Sequence, residues 1–162
     1  SVLVDAARLQ AVLAADAFKS LDAATTARWA AETASWRAAT TELAIMELQA
    51  GSKSHPLLRH GDQVELSQLQ TRALTGLTPD GILGDIVNAT RWLDNSDMLS
   101  AIKQAQQIFA ETGGRSIKYV ADAGKVIGEG FYQNSTRYQQ TSKFIIILDA
   151  TGLPKTAYPI LP

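Results

Sequence analysis

The sequence predicts an α+β domain in which N-terminal helices precede a four-stranded antiparallel sheet with helices packed on one of its faces. Three observations predict it. Residues 2–50 are rich in Ala and free of Gly and Pro. Two stretches between residues 66 and 111 are built of helix formers and stopped by glycines. Residues 116–161 fall into short β-branched or aromatic runs divided by Gly, Asp, Asn and Pro.

Taken in order, the Ala-rich segment reads as two helices broken near Ser20-Leu21-Asp22, with Gly51 as the stop. Trp29, Trp36 and Leu43 recur every seven residues and place large side chains on one helix face. That stripe fits packing against a neighbouring helix, and the alternative is a partner-binding face. Leu66 to Leu74 fits a short helix ending before Gly76, and Thr78-Pro79-Asp80-Gly81 is turn chemistry. A loop follows to Asn95. Ser96 is placed to cap a helix over Asp97–Glu111, with Met98, Ile102, Ala105 and Phe109 on one side and Gly113-Gly114 after it. Ser116–Ala121, Lys125–Tyr132, Thr141–Asp149 and Lys155–Leu161 then read as the four strands, with Ala150-Thr151-Gly152 turning the last hairpin.

With 162 residues, 46% of them hydrophobic, the chain suffices for one compact domain and an accessory element. We divide it into a helical region 1–52 and a domain 53–162. The absence of cysteine excludes a disulfide framework, a thiolate nucleophile and cysteine-ligated zinc. The chain begins at Ser1, carries no signal-peptide pattern, and has no apolar run of membrane-spanning length, so it reads as a piece of a longer protein with no stable membrane insertion of its own. Net charge is only −1, but residues 1–50 carry four cations against six acids while residues 115–162 carry six against three. The C-terminal excess suits a small phosphate-binding cleft, not a general nucleic-acid coat.

Two polar segments carry candidate chemistry. Ser54-His55-Pro56-Leu57-Leu58-Arg59-His60-Gly61 holds both histidines, and Lys155-Thr156-Ala157-Tyr158-Pro159 lies at the far end of the chain. Metal-free RNA cleavage needs a base for the ribose 2′-hydroxyl, an acid for the leaving 5′-oxygen, and donors for the charged intermediate. Histidine titrates near neutrality and suits the first two tasks. Arg59 and Arg72 have the planar fork that grips phosphate. Thr156 and Tyr158 alternate on a strand and share a face, with Lys143 of the preceding strand placed near them. The bland alternative is that the histidines cap or pack. His55 and His60 with Asp62 lack zincin spacing, and Gly128-Glu129-Gly130 leads into Phe131-Tyr132 instead of a helix, so neither a zinc site nor a dinucleotide fingerprint is read. A close backbone approach or a bulge accounts for those glycines.

The histidine segment, a following Arg, Arg91-Trp92-Leu93, Val126-Ile127-Gly128-Glu129-Gly130 and Thr156-Ala157-Tyr158-Pro159 together resemble the C-terminal ribonuclease domains of bacterial polymorphic toxins. The resemblance covers residues 54–162 and is greatest to effectors of contact-dependent growth inhibition, with a ribonuclease-A-like or barnase/EndoU/colicin/RelE-like fold. It implies an effector secreted or displayed by one bacterium that cleaves RNA, often tRNA, in the cytoplasm of its neighbour, without cofactor or metal, and is neutralised by a cognate immunity protein. It implies His60 as general base or acid, with His55 as the other candidate. It further implies Arg72 as phosphate clamp and Thr156 and Tyr158 as positioning or acid groups; Arg59, Lys143 and Lys155 are expected to bind substrate. Two departures from the family pattern stand out: the histidine-to-arginine spacing is one residue longer, and Gly61 takes a β-branched position. The rival readings are a non-enzymatic module binding protein through the Trp29/Trp36 face and a metal-dependent deoxyribonuclease.

Overall fold

A computed structural model describes residues 5–8 and 23–162. The expected helix break near Ser20-Leu21-Asp22 lies outside the described residues. The helices are α1 (Ala23–Ala50), α2 (Pro56–His60), α3 (Leu66–Thr75) and α4 (Asn95–Glu111). The strands are β1 (Ala89–Trp92), β2 (Lys118–Asp122), β3 (Gly128–Phe131), β4 (Tyr138–Thr141), β5 (Lys143–Leu148) and β6 (Pro154–Ile160).

Mixed helix and sheet is borne out, but the four-stranded meander is not. The strands form two three-stranded antiparallel sheets, β1-β3-β4 and β2-β5-β6. The difference comes from two four-residue strands that carry too little alternation to be seen in sequence, Ala89–Trp92 and Tyr138–Thr141. They flank β3 on both sides in the registers Arg91↔Glu129 and Glu129↔Gln140, so β3 is lost to the sheet in which it was expected. Glycine permits this close assembly. A Cβ at Gly130 would run into the carbonyl of Ala89, and one at Gly128 into the ring of Pro159. The expected close approach is therefore the reason for both residues.

Each sheet has its own helix. α4 lays Met98, Ile102 and Ala105 onto Phe144, Ile146, Leu148 and Ala157, and Ala39 and Leu43 of α1 join the same core. The N-cap of α4 is Asp94, whose carboxylate accepts from Ser96 N at 2.8 Å, two residues earlier than the expected Ser96. α3 buries Leu69 and Ala73 against Val64, Ala89 and Phe131. It stops at Gly76, whose φ of 82° is left-handed, as a glycine permits without strain. Of the tryptophan stripe, Leu43 is core, and Trp36 donates its indole N–H to Asp62 at 2.7 Å. Asp62 also exchanges hydrogen bonds with Asn95, which reaches Thr40 of α1, so one polar network ties α1, the α2–α3 connection and α4 together. The arrangement is helix packing, as expected for that face.

The sheets meet where β1 and the end of β4 butt against β6, and side chains bond the junction. Thr90 Oγ1 donates to Pro159 O at 2.7 Å, Trp92 Nε1 to Ala157 O at 3.0 Å, and Thr141 Oγ1 to Ile160 O. Arg91 and Glu129 pair across β1 and β3 at 2.6 Å, with Tyr138 donating to the same carboxylate. Among the described residues no helix is long and apolar enough to cross a membrane.

Candidate active site

The histidine segment is fixed before it becomes a helix. Pro56 sits in the first turn of α2, where its missing N–H costs nothing. The buried carboxylate of Glu47, reaching across from α1, accepts from Leu57 N at 3.0 Å and Leu58 N at 3.4 Å. It supplies from another helix the cap that His55 does not supply. Burial pushes the Glu47 carboxyl up, against the two amides that favour its charge. Ser54 Oγ donates to Pro154 O at 2.6 Å, which pins the segment to the start of β6.

β6 then runs beside α2, and between them opens a cleft of about 450 Å³. It collects His55, Arg59, His60, Arg72, Lys155, Thr156 and Tyr158, which are seven of the eight residues expected from sequence. Thr156 and Tyr158 do share a face, opposite Ile147 and Ile145 of β5. Lys143 is the exception. It lies on that same face opposite Ile160, two pairs beyond Tyr158, and is exposed outside the cleft. The expected contact fails because a sheet face extends past the part that another element covers.

His60 is buried, and its Nδ1 lies 2.8 Å from the carbonyl oxygen of Thr90. A carbonyl only accepts, so Nδ1 carries the proton and Nε2 is the free lone pair of a neutral ring. Burial pulls the imidazole down to about 3, helped by the charges of Arg72 and Arg59 and resisted by the Thr90 bond. The ring also stacks on Tyr158.

Arg72 comes from the last turn of α3. Its Nε and Nη1 are buried, and neither has a hydrogen-bond partner. Burial and the nearby Arg59 charge both work against its cation. Arg59, by contrast, is neutralised by Asp80 at 3.0 Å, and the same carboxylate stands 3.5 Å from His55 Nδ1. Burial works to raise the Asp80 carboxyl. Hydrogen bonds from Thr78 and Arg59, with the Arg59 charge, more than offset it and hold it below the usual range. Asp80 belongs to the Thr78–Gly81 turn, closed by Gly81 N to Thr78 O at 2.9 Å. In sequence that segment announced a turn, and nothing in it announced a partner for His55.

Lys53, Asn88 and Gln133 also line the cleft, and sequence reasoning missed all three. Lys53 stood next to a motif already noticed; Asn88 and Gln133 are single amides in loops, without a pattern. The lining thus holds four Lys or Arg side chains and no Asp or Glu. Among the described residues no three His, Asp or Glu side chains converge as a metal site would require. Asp62, considered as a ligand with the histidines, is occupied by Trp36 and Asn95 instead.

No family model matches the chain, and no curated protein does. It is similar to a chain in a solved structure, the CdiA-CT/CdiI complex from Y. kristensenii 33638. The two share 18% identity with a TM-score of 0.45, over 64% of this chain and 97% of that one. At that distance function does not transfer.

Proposed function

We propose that the chain is a toxin ribonuclease domain that cleaves RNA, with tRNA as the expected substrate, by attack of the ribose 2′-hydroxyl on the adjacent phosphate. The observation that carries this reading is the juxtaposition in one cleft of a neutral imidazole with Nε2 free and a half-buried guanidinium, two of whose nitrogens are buried without a partner. Buried N–H donors left unpaired are costly for a fold, and a phosphate oxygen is the partner that fork fits. A lone pair beside it can take the proton of a hydroxyl held on that phosphate.

In this mechanism the scissile phosphate binds at Arg72, with Thr156 and Tyr158 donating to its oxygens. His60 Nε2 removes the 2′-proton as the O2′–P bond forms. His55, beside Asp80, gives a proton to the 5′-oxygen as the P–O5′ bond breaks, leaving a 2′,3′-cyclic phosphate. Burial is the main cause that depresses His60, and the bound phosphate anion offsets only the lesser one, the charges of Arg72 and Arg59. The effector setting and the immunity partner belong to the same proposal and rest on the sequence resemblance alone.

The test incubates the purified domain with total RNA and with duplex DNA, with and without EDTA. RNA breakdown that survives the chelator and disappears in His60→Asn supports the proposal. No nuclease activity, or DNA cutting that EDTA abolishes, would overturn it.

A further inference from the structure

The cleft is chemically divided along β6. At the start of the strand, Lys53 and Lys155 lie together because Ser54 is bonded to Pro154 O. At its other end, roughly 16 Å away for five residues of strand, the lining is uncharged: Val87, Asn88, Gln133, Ile160 and Leu161. His60 on Tyr158 stands between the two ends. The uncharged end is built on the paired strands β1 and β3, Asn88 preceding the first and Gln133 lying just beyond the second.

The two amides there are organised. Asn88 Oδ1 accepts from Gln133 N at 2.9 Å. A backbone N–H only donates, so the Asn88 oxygen is committed and its Nδ2 hydrogens remain to point elsewhere. The Gln133 side chain makes no hydrogen bond with the protein among the described residues, leaving a donor and an acceptor in one plane. The loop that carries it is held from both sides, by Asn134 N to Ala73 O at 2.8 Å and by Tyr132 OH to Pro162 O at 2.6 Å. Amides can donate to phosphate oxygens, but these two stand among apolar side chains with no Lys or Arg in this part of the lining. A nucleobase suits such a wall better, since its faces are apolar and its edges present donors and acceptors that amide side chains match.

We propose that Asn88 and Gln133 form the base-reading wall of this cleft and set the preference for the nucleotide whose 2′-hydroxyl attacks. The inference rests on the ribonuclease reading above. Gln133 reads with both its donor and its acceptor, and Asn88 contributes only donors, so it must be met by an acceptor on the base. Val87, Ile160 and Leu161 give the base its apolar contact.

The test uses four dinucleotides that differ only in the 5′ base, together with an abasic ribose phosphodiester of the same leaving group. Gln133→Ala removes a side chain with no structural bond, and Asn88→Asp keeps an oxygen for the Gln133 amide while removing the donors. With kcat/KM normalised to the abasic substrate, each variant is expected to shrink the ratio between best and worst base by about tenfold or more, and Gln133→Ala to lose more on the best base than on the abasic substrate. Wild-type ratios in both variants, or an equal loss on the abasic substrate with Gln133→Ala, would overturn the inference and leave the ribonuclease reading standing. A wild-type domain that cleaves none of the substrates would overturn both.

Discussion

The ring of His60 stacks on the ring of Tyr158, with centroids 5.2 Å apart and planes 29° from parallel. Tyr158 belongs to β6 and Thr90, whose carbonyl meets the edge of the imidazole at Nδ1, to β1. These strands lie in different sheets. One side chain therefore bonds to the sheet junction through Nδ1 and faces the cleft with what is left, so structural and chemical roles are divided between its two nitrogens.

That division predicts different fates for two substitutions. Asn at position 60 places an amide N–H where Nδ1–H stands and removes the lone pair of Nε2. His60→Asn is expected to lose about 10²–10⁴ in RNA cleavage, the usual worth of a general base, with little change in unfolding free energy. His60→Ala is expected to lose the same activity and also about 1–3 kcal/mol of stability, because Thr90 O is left unpaired and a void opens against Tyr158. Urea unfolding beside a cleavage assay checks both.

Acid should weaken the fold through this residue. An unfolded chain takes up a proton on His60 below about 6.5, whereas the folded protein does so only near 3. Between those values the unfolded state binds more protons, so stability falls as pH falls, by up to about 1.4 kcal/mol per pH unit from this group. Asp80, held low in the folded state, adds to the loss at the acid end, while the raised carboxyls of Glu47 and Asp62 work the other way. Urea midpoints at pH 7, 5 and 4 should drop more steeply for the wild type than for His60→Asn. Parallel lines would count against a buried neutral imidazole.

Arg72 should be a residue kept for function at the expense of stability. Arg72→Met fills much of the same volume without a half-buried cation or two buried nitrogens that lack a partner. Each such nitrogen costs about 1–3 kcal/mol, so the variant is expected to melt a few degrees higher while losing phosphate binding and cleavage by at least about tenfold. A variant that melts lower would show that the guanidinium is satisfied in the folded protein.

Glu47 acts on the site through α2. Glu47→Gln keeps a carbonyl oxygen for Leu57 N and Leu58 N and removes a charge that burial disfavours, so it is expected to be close to neutral. Glu47→Ala strips both amides of their partner and should cost about 1–3 kcal/mol. Because the helix it caps bears His60, cleavage should fall in the Ala variant and not in the Gln variant. Equal stability of the two would mean that water or a neighbour replaces the cap.

Helices α3 and α4, the hairpin at residues 150–152 and the shared face of Thr156 and Tyr158 were legible because each depends on neighbours within a few positions. Spacing, a stop glycine or strand alternation suffices for them. β1 and β4 were not legible. Four residues such as Ala89-Thr90-Arg91-Trp92 hold only two alternations, and what makes them a strand is Glu129 and Gly130 some forty positions on. The site behaved likewise: residue types suited to phosphate were visible, but the exposure of Lys143 and the approach of Asp80 to His55 are products of packing.

The sequence by itself determined a mixed helix and sheet chain with the two segments that hold the candidate chemistry, because helix propensity, turn residues and side-chain types act locally. Only the tertiary structure decided that the strands divide into two sheets. It also left the proton on the inner nitrogen of His60, spent one arginine on Asp80 and left the other unpaired. Those outcomes depend on burial and on the partner each polar atom meets, and the parts that meet here stand up to a hundred residues apart, as Ser54 and Pro154 do.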